Sequence, residues 1–373
     1  MKKIISLLLV LTLVMAALVG CTKPAEPASD PAPAQEPAKE PAQEPAPADE
    51  DGKIAKLGLG QNISIAKSRD AGTDANGKEV TAQGQADVTM AAVGFDKDGK
   101  IASVTIDTAQ TKVPFDKELK VSADKTATIK SKKELGPEYG MVKASPIKKE
   151  WFEQMDALEN WMIGKTIDEV KNLPLKENKP DVPELTSSVT VTVDGYIAAV
   201  VEAWENAVDA AGAEKVGLGV NTSIGSSKDK GTDANGKEVL PQAQVDTYMS
   251  ATAIDKDGKV VATLIDTAQV KIPFDAEGKV TADKAAEMKT KQELKEEYGM
   301  VKASEIKKEW YEHMAAFQDW MVGKTVDEIT GLKVKEANPS HQHVPDVPEL
   351  TSTVTITVEG YQGVVEKAFA NAR

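Results

Sequence analysis

The feature that most constrains this chain is that it says nearly the same thing twice. GTDANGKEV occupies Gly72–Val80 and returns at Gly231–Val239. DKDGK at Asp96 returns at Asp255, IDTAQ at Ile106 returns at Ile265, YGMVKAS at Tyr139 returns at Tyr298, and IKKEW at Ile147 returns at Ile306. Each return falls 159 residues later; in the final segment the offset is 165, because the second copy carries six more residues around SHQHVP. A period this long exceeds any solenoid unit, and about 160 residues suffice for a core. The chain therefore reads as two tandem domains, 53–212 and 213–373.

Within a copy, strands come first and helices later. QADVTMAAVGF, the turn at Asp96–Gly99 and KIASVTIDTAQ form a hairpin pattern that the second copy repeats. Ser145 before Pro146 marks a helix start, and Ile147, Trp151, Met155, Leu158 and Met162 follow at helical spacing. Thr166 and Glu169 form a capping box, as do Thr325 and Glu328. Each copy then carries a threonine-rich ribbon, DVPELTSSVTVTVDGY from Asp181 and DVPELTSTVTITVEGY from Asp346. Its threonines alternate with valines, which predicts a strand; YIAAVVEAWENAVDAAG closes the first copy as a helix. The fold class expected is α+β, with a largely antiparallel sheet in each domain.

Ahead of the repeats stand Lys2, Lys3 and an apolar run from Ile4 to Val19, the layout of an export signal over residues 1–20. The run ends in Leu18-Val19-Gly20-Cys21, which resembles the lipobox of bacterial lipoproteins; that implies cleavage before Cys21 and diacylation of its thiol, a firm anchor to the cell membrane. Residues 21–52 are Pro, Ala and Glu in loose repeats, an extended tether able to span about 90 Å at roughly 3 Å per residue. Loss of residues 1–20 removes Lys2 and Lys3 and no acid, taking the net charge from −14 to −16. That charge argues against nucleic acid as a partner. The location implied is the extracytoplasmic face of the membrane. With Cys21 the only cysteine, there is no CxxCH for covalent haem and no thiolate set for an iron–sulfur cluster or structural zinc.

Other motifs are weak. Gly58-Leu-Gly60 and Gly217-Leu-Gly219 lack the third glycine of a dinucleotide loop, Ile63 and Thr222 standing there, and no βαβ unit follows. The three histidines, His313, His341 and His343, all lie in copy two, and His313 faces Gln154 in the repeat comparison. A function common to both copies cannot need histidine, no metal site is expected, and nucleophilic hydrolysis is unsupported. Trp151, Trp161, Trp310, Trp320, Tyr139 and Tyr298 recur at matching places and read mainly as core, with one or two able to stack on a flat ring.

The ribbon resembles the flavinylation motif D-x-x-[ST]-G-A-T of FMN-binding domains, found in sodium-pumping NADH:quinone oxidoreductases, Rnf complexes and exported lipoproteins of Gram-positive bacteria. On this chain Glu184, Ser187, Ser188, Val189 and Thr190 take the motif positions, and in copy two Glu349, Ser352, Thr353, Val354 and Thr355. Glu replaces Asp, Ser or Thr replaces Gly, and Val replaces Ala. With lipobox, tether and two tandem domains, the whole layout is similar to the two-flavin lipoproteins of flavin-based extracellular electron transfer. The resemblance implies two FMN cofactors, each joined by a phosphodiester to Thr190 or Thr355 and installed from FAD by a flavin transferase. It implies a carrier without turnover of its own, fed by a membrane quinol or NADH-dehydrogenase system and discharging to ferric iron or soluble flavin. Two rivals remain at this stage: a surface-binding or scaffold lipoprotein without flavin, and a flavin-bearing partner of an extracellular reductase.

Overall fold

Three long strands open each copy. In copy one they are β1 (Ile54–Ser64), β2 (Gln83–Phe95) and β3 (Ile101–Pro114). In copy two they are β5 (Lys215–Ser223), β6 (Gln242–Ile254) and β7 (Val260–Pro273). The computed structural model describes residues 53–339 and 341–373; the export signal, Cys21 and the whole tether lie outside them. Both sheets are antiparallel, in the order β3-β2-β1-β4 and β7-β6-β5, where β4 is Val208–Ala213. Among the described residues the α-helices are α1 (Lys132–Leu135), α2 (Trp151–Met162), α3 (Ile167–Lys171), α4 (Pro183–Thr186) and α5 (Asp194–Glu205) in copy one, and α6 (Lys291–Leu294), α7 (Trp310–Met321), α8 (Val326–Thr330) and α9 (Glu359–Ala370) in copy two, so the α+β expectation holds.

Period two decides what each sheet face meets. Ala86, Val88, Met90 and Ala92 of β2 join a core shared with Val245, Met249, Ala251 and Ala253 of β6. Ala91, Val93 and Phe95, on the opposite face, pack instead under α2 (Trp151–Met162) and α5 (Asp194–Glu205). Copy two lays α7 (Trp310–Met321) and α9 (Glu359–Ala370) on its own outer face. The result is helix, sheet, sheet, helix, with the described residues forming one compact unit. The central core belongs to neither copy alone.

The contact between copies is reciprocal, as a two-fold axis requires. Ala71 N–H donates to Gly278 O at 2.9 Å, and the equivalent Lys230 N–H donates to Leu119 O at 3.0 Å. Val121 N–H reaches Asp229 Oδ1 at 2.9 Å while Val280 N–H reaches Asp70 Oδ1 at 3.0 Å. Phe115 meets its own equivalent, Phe274, edge-on at 5.1 Å. The tandem repeat thus builds within one chain the interface of a symmetric dimer.

Three sequence expectations change. The threonine ribbon is not a strand. Pro183–Thr186 forms a short helix, α4, with Pro183 at its start, and Val189 N–H continues the turn by donating to Leu185 O at 2.8 Å. The decisive spacing is four, with Leu185, Val189 and Val193 all buried in the outer core, as are Leu350, Val354 and Val358. Alternation of threonines was the weaker signal. The helix expected from Ser145-Pro146 starts at Trp151, because Lys148 sits at φ +56° and Glu150 supplies the cap. The closing helix of copy one stops at Glu205, and Val208–Ala213 pairs antiparallel with β1.

The glycine pairs of the GLG stretches now have a structural reason. On β1 they face α5, and a Cβ on Gly58 or Gly60 would stand 1.9 and 2.1 Å from the carbonyl oxygens of Ala203 and Ala199. Gly217 and Gly219 stand in the same relation to α9.

Candidate functional site

Thr190 and Thr355 sit where the helical turn of the ribbon ends and the chain runs toward the last helix, each half-buried. In each copy the backbone at this point is held by a side chain from the long helix opposite. Thr190 N–H donates to Gln154 Oε1 at 2.8 Å, and the Thr190 hydroxyl lies 3.3 Å from the same oxygen. Thr355 N–H donates to His313 Nδ1 at 3.2 Å. The far ends match too, since Gln154 Nε2 donates to Ser145 Oγ at 3.3 Å and His313 Nε2 lies 3.4 Å from Ser304 Oγ. Glutamine and histidine here present the same acceptor and donor to the same two partners. Because Nδ1 accepts, the ring proton of His313 sits on Nε2, and His313 cannot serve as a base toward Ser304.

Around this contact each copy builds the same frame. Glu150 accepts from Met141 and Val142 N–H at 2.7 and 3.3 Å, and Glu309 accepts from Met300 and Val301 N–H at 2.7 and 3.1 Å, so both carboxylates tie a loop to a helix start. Trp151 Nε1 donates to the Tyr196 hydroxyl at 2.8 Å, and Trp310 Nε1 to that of Tyr361 at 2.9 Å. Burial pushes the Tyr196 hydroxyl up to about 12. A buried lysine lies against two rings in each copy: Lys132 Nζ is 5.0 and 5.1 Å from the Tyr139 and Trp151 rings, and Lys291 Nζ is 4.9 and 5.4 Å from those of Tyr298 and Trp310. Desolvation lowers Lys132 to about 8. The recurrent Trp151 and Trp310 are therefore core residues of the frame.

The copies differ beside the threonine. In copy one a tight turn through Glu177 and Asn178, both at positive φ, joins Leu175–Lys176 to Lys179–Pro180. In copy two the six added residues widen that hairpin between Val334–Lys335 and Val344–Pro345. A cleft of about 310 Å³ opens there, lined among others by Thr355, Ile356, Ser304, Lys335, His341 and Thr351. His341, read from sequence as part of a polar insertion, lines this cleft. Among the described residues no three His, Cys, Asp or Glu side chains converge to hold a metal.

The remaining motif residues divide by burial. Glu184, Ser187, Glu349 and Ser352 are exposed, and Val189 and Val354 are buried core. Ser188 and Thr353 turn their hydroxyls back to Leu185 O and Leu350 O, each at 3.3 Å. Neither has positive φ, so the backbone makes no demand for the motif's glycine here. Cys21 lies outside the described residues. Sequence reading paired Gln154 with His313 without finding what they touch; the signal was that both sit three residues after a recurrent tryptophan, one turn along the same helix face.

Gln154→His and His313→Gln should each change stability by less than about 1 kcal/mol, because either side chain offers the same acceptor and donor. Gln154→Leu, which strands the Thr190 N–H, should cost about 1–3 kcal/mol by urea unfolding. Burial, with Lys308 nearby, holds His313 below the ordinary 6.5. The unfolded chain then binds a proton that the folded chain resists, so as pH falls below 6.5 toward the depressed value, stability falls; His313→Gln should remove that component.

Compared with models of protein families, with curated proteins and with solved structures, the chain finds no match in any of the three.

Proposed function

We propose that the protein is an electron carrier holding FMN covalently at Thr190 and Thr355, tethered by lipid on Cys21 to the extracytoplasmic face of the membrane. The observation that carries this reading is the duplicated threonine, set at the same backbone position in both copies and gripped through its N–H by Gln154 or His313. Beside Thr355 the cleft is lined by the hydroxyl residues Ser304 and Thr351, by Glu305 and by Lys335, whose ammonium also pairs with Asp346 at 3.2 Å; the hydroxyls and the ammonium are the groups that would meet an esterified phosphate. Met300, Val344, Pro345 and Ile356 line the same cleft and suit the face of a ring. Its volume lies at the lower end of the range for small-molecule sites.

Attachment would join the threonine Oγ to the FMN phosphorus as the pyrophosphate of FAD breaks and AMP leaves, with a flavin transferase as catalyst. Flavin, when bound, supplies the redox chemistry. The chain's part is to fix the threonine backbone, shield one side of the ring and prevent loss of the group from the cell surface. A membrane quinol or NADH-dehydrogenase system would be the donor, with ferric iron or soluble flavin as acceptor; the protein turns over no substrate itself.

Production with a flavin transferase should give an intact mass above the apoprotein by two FMN-phosphodiester increments. A colourless product at apoprotein mass would favour a surface scaffold instead, and a flavin-loaded product reoxidised by an organic acceptor such as fumarate would favour a reductase partner. For the anchor, Cys21→Ala should move the protein out of the membrane fraction or leave its leader uncut. Unaltered fractionation and processing would count against the lipid tether.

A further inference from the structure

Lysine is almost never buried without a group to pair it, yet Lys132, the first residue of α1, is only 8% exposed. Its Nζ ends among rings, 5.0 Å from that of Tyr139 and 5.1 Å from that of Trp151. The carboxylates whose charge it feels, Asp87 and Asp107, are engaged elsewhere. Asp87 pairs with Lys67 at 3.0 Å and accepts from Gln85 Nε2 at 2.9 Å. Asp107 accepts from the Ser131 hydroxyl and from the Thr108 and Lys133 N–H groups at 2.7 and 3.0 Å. Among the described residues Lys132 Nζ therefore has ring faces beside it, but neither an ion pair nor a hydrogen bond. What exposure the residue keeps includes the amine.

Such surroundings favour the neutral amine, which is the nucleophilic form. Burial brings Lys132 down to about 8; Asp87 pulls the other way, and the Lys67 ammonium adds to the fall.

We propose that Lys132 is a covalent attachment site for small aldehydes, its amine attacking the carbonyl carbon to form an imine. The nitrogen lone pair makes the new C–N bond, and the carbonyl oxygen leaves as water with the two amine protons. No oxidant or reductant is needed. The protonated imine is a larger and more weakly hydrated cation than ammonium, the kind that aromatic walls hold well.

Copy two repeats the cage. Lys291 is equally buried, with Nζ 4.9 and 5.4 Å from the Tyr298 and Trp310 rings. Ser226 stands where copy one has Lys67, so this cage lacks the neighbouring ammonium, and Lys132 should be the faster of the two. The attachment uses neither acceptor threonine and does not depend on flavin.

Limiting propanal with cyanoborohydride, which traps the imine as a propylamine, tests this on the full-length protein by peptide mapping. At about pH 7.4 roughly one amine in five is unprotonated when it titrates near 8, against about one in a thousand at the ordinary 10.4. Lower basicity offsets part of that gain, so Lys132 should be labelled about tenfold faster than the exposed Lys97. Its rate should level off above about pH 8, with Lys291 trailing it. Lys67→Met removes the like charge and frees Asp87 to pair with Lys132, and should slow labelling about twofold or more. Equal rates at Lys132 and Lys97 would overturn the inference. So would a rate still climbing beyond about pH 9, Lys291 outpacing Lys132, or indifference to Lys67→Met.

Discussion

Thr190→Val combined with Thr355→Val should leave the denatured protein without in-gel flavin fluorescence, while Thr192→Val combined with Thr357→Val keeps it in full. The two pairs test position against mere hydroxyl content. Loss in the first pair should not come from unfolding, because Thr190 contributes only a 3.3 Å side-chain contact to the fold and its N–H bond to Gln154 survives the change. The second pair is expected to be benign. Thr192 is exposed, and the Thr357 hydroxyl is buried without a hydrogen-bond partner, so valine there removes a desolvated polar atom and is neutral or stabilising. Each single change at Thr190 or Thr355 should remove one flavin and leave the other. Fluorescence that persists in the Thr190/Thr355 double variant and vanishes in the other would move the attachment by two residues. Persistence in both would place any flavin elsewhere.

The largest effect on stability is expected from Gly219→Val. A Cβ at that position would lie 1.8 Å from Val364 O, and the obstacle is helix backbone that cannot rotate away. α9 must lift from β5, opening the outer core of copy two, at a cost of about 3 kcal/mol or more. Gly60→Val should do the same to copy one, with 2.1 Å to Ala199 O. Gly236 provides the contrast: it lies in an open turn at φ +77°, and Gly236→Ala should cost about 1–2 kcal/mol, from backbone conformation alone. Urea unfolding would read the difference. A Gly219→Val chain as stable as the Gly236→Ala chain would mean that α9 does not pack on its strand as described.

Much of this fold was legible because local rules and tertiary packing agreed. The hairpins, the capping boxes at Thr166 and Thr325, and the α+β order all followed from turns and periods. The ribbon was misread because two periods overlap in it. Threonine every second residue suggests a strand, but Leu185, Val189 and Val193 every fourth residue are the ones that reach the core. The apolar subset, not the polar one, sets the backbone. The glycine pairs were legible as unusual, yet nothing local shows that a helix lies on them. The grip of Gln154 and His313 was hidden for the same reason, since a contact across 36 or 42 residues leaves only a shared alignment column in the repeat.

The shared central core bears on how the chain reaches this state. The inner face of the first sheet, with Val88, Met90 and Ala92, shares one core cluster with residues of β5 and β6, more than a hundred residues further on. Copy one emerging first from a ribosome therefore leaves part of that apolar face without its partner until copy two arrives. Loop closure over such separations is slow, and exposed sheet faces are prone to wrong association. Since the contact is self-complementary, the nearest wrong partner is the first copy of a neighbouring chain. Crowded synthesis should thus yield chain-swapped dimers, and dilution during refolding should favour the monomer.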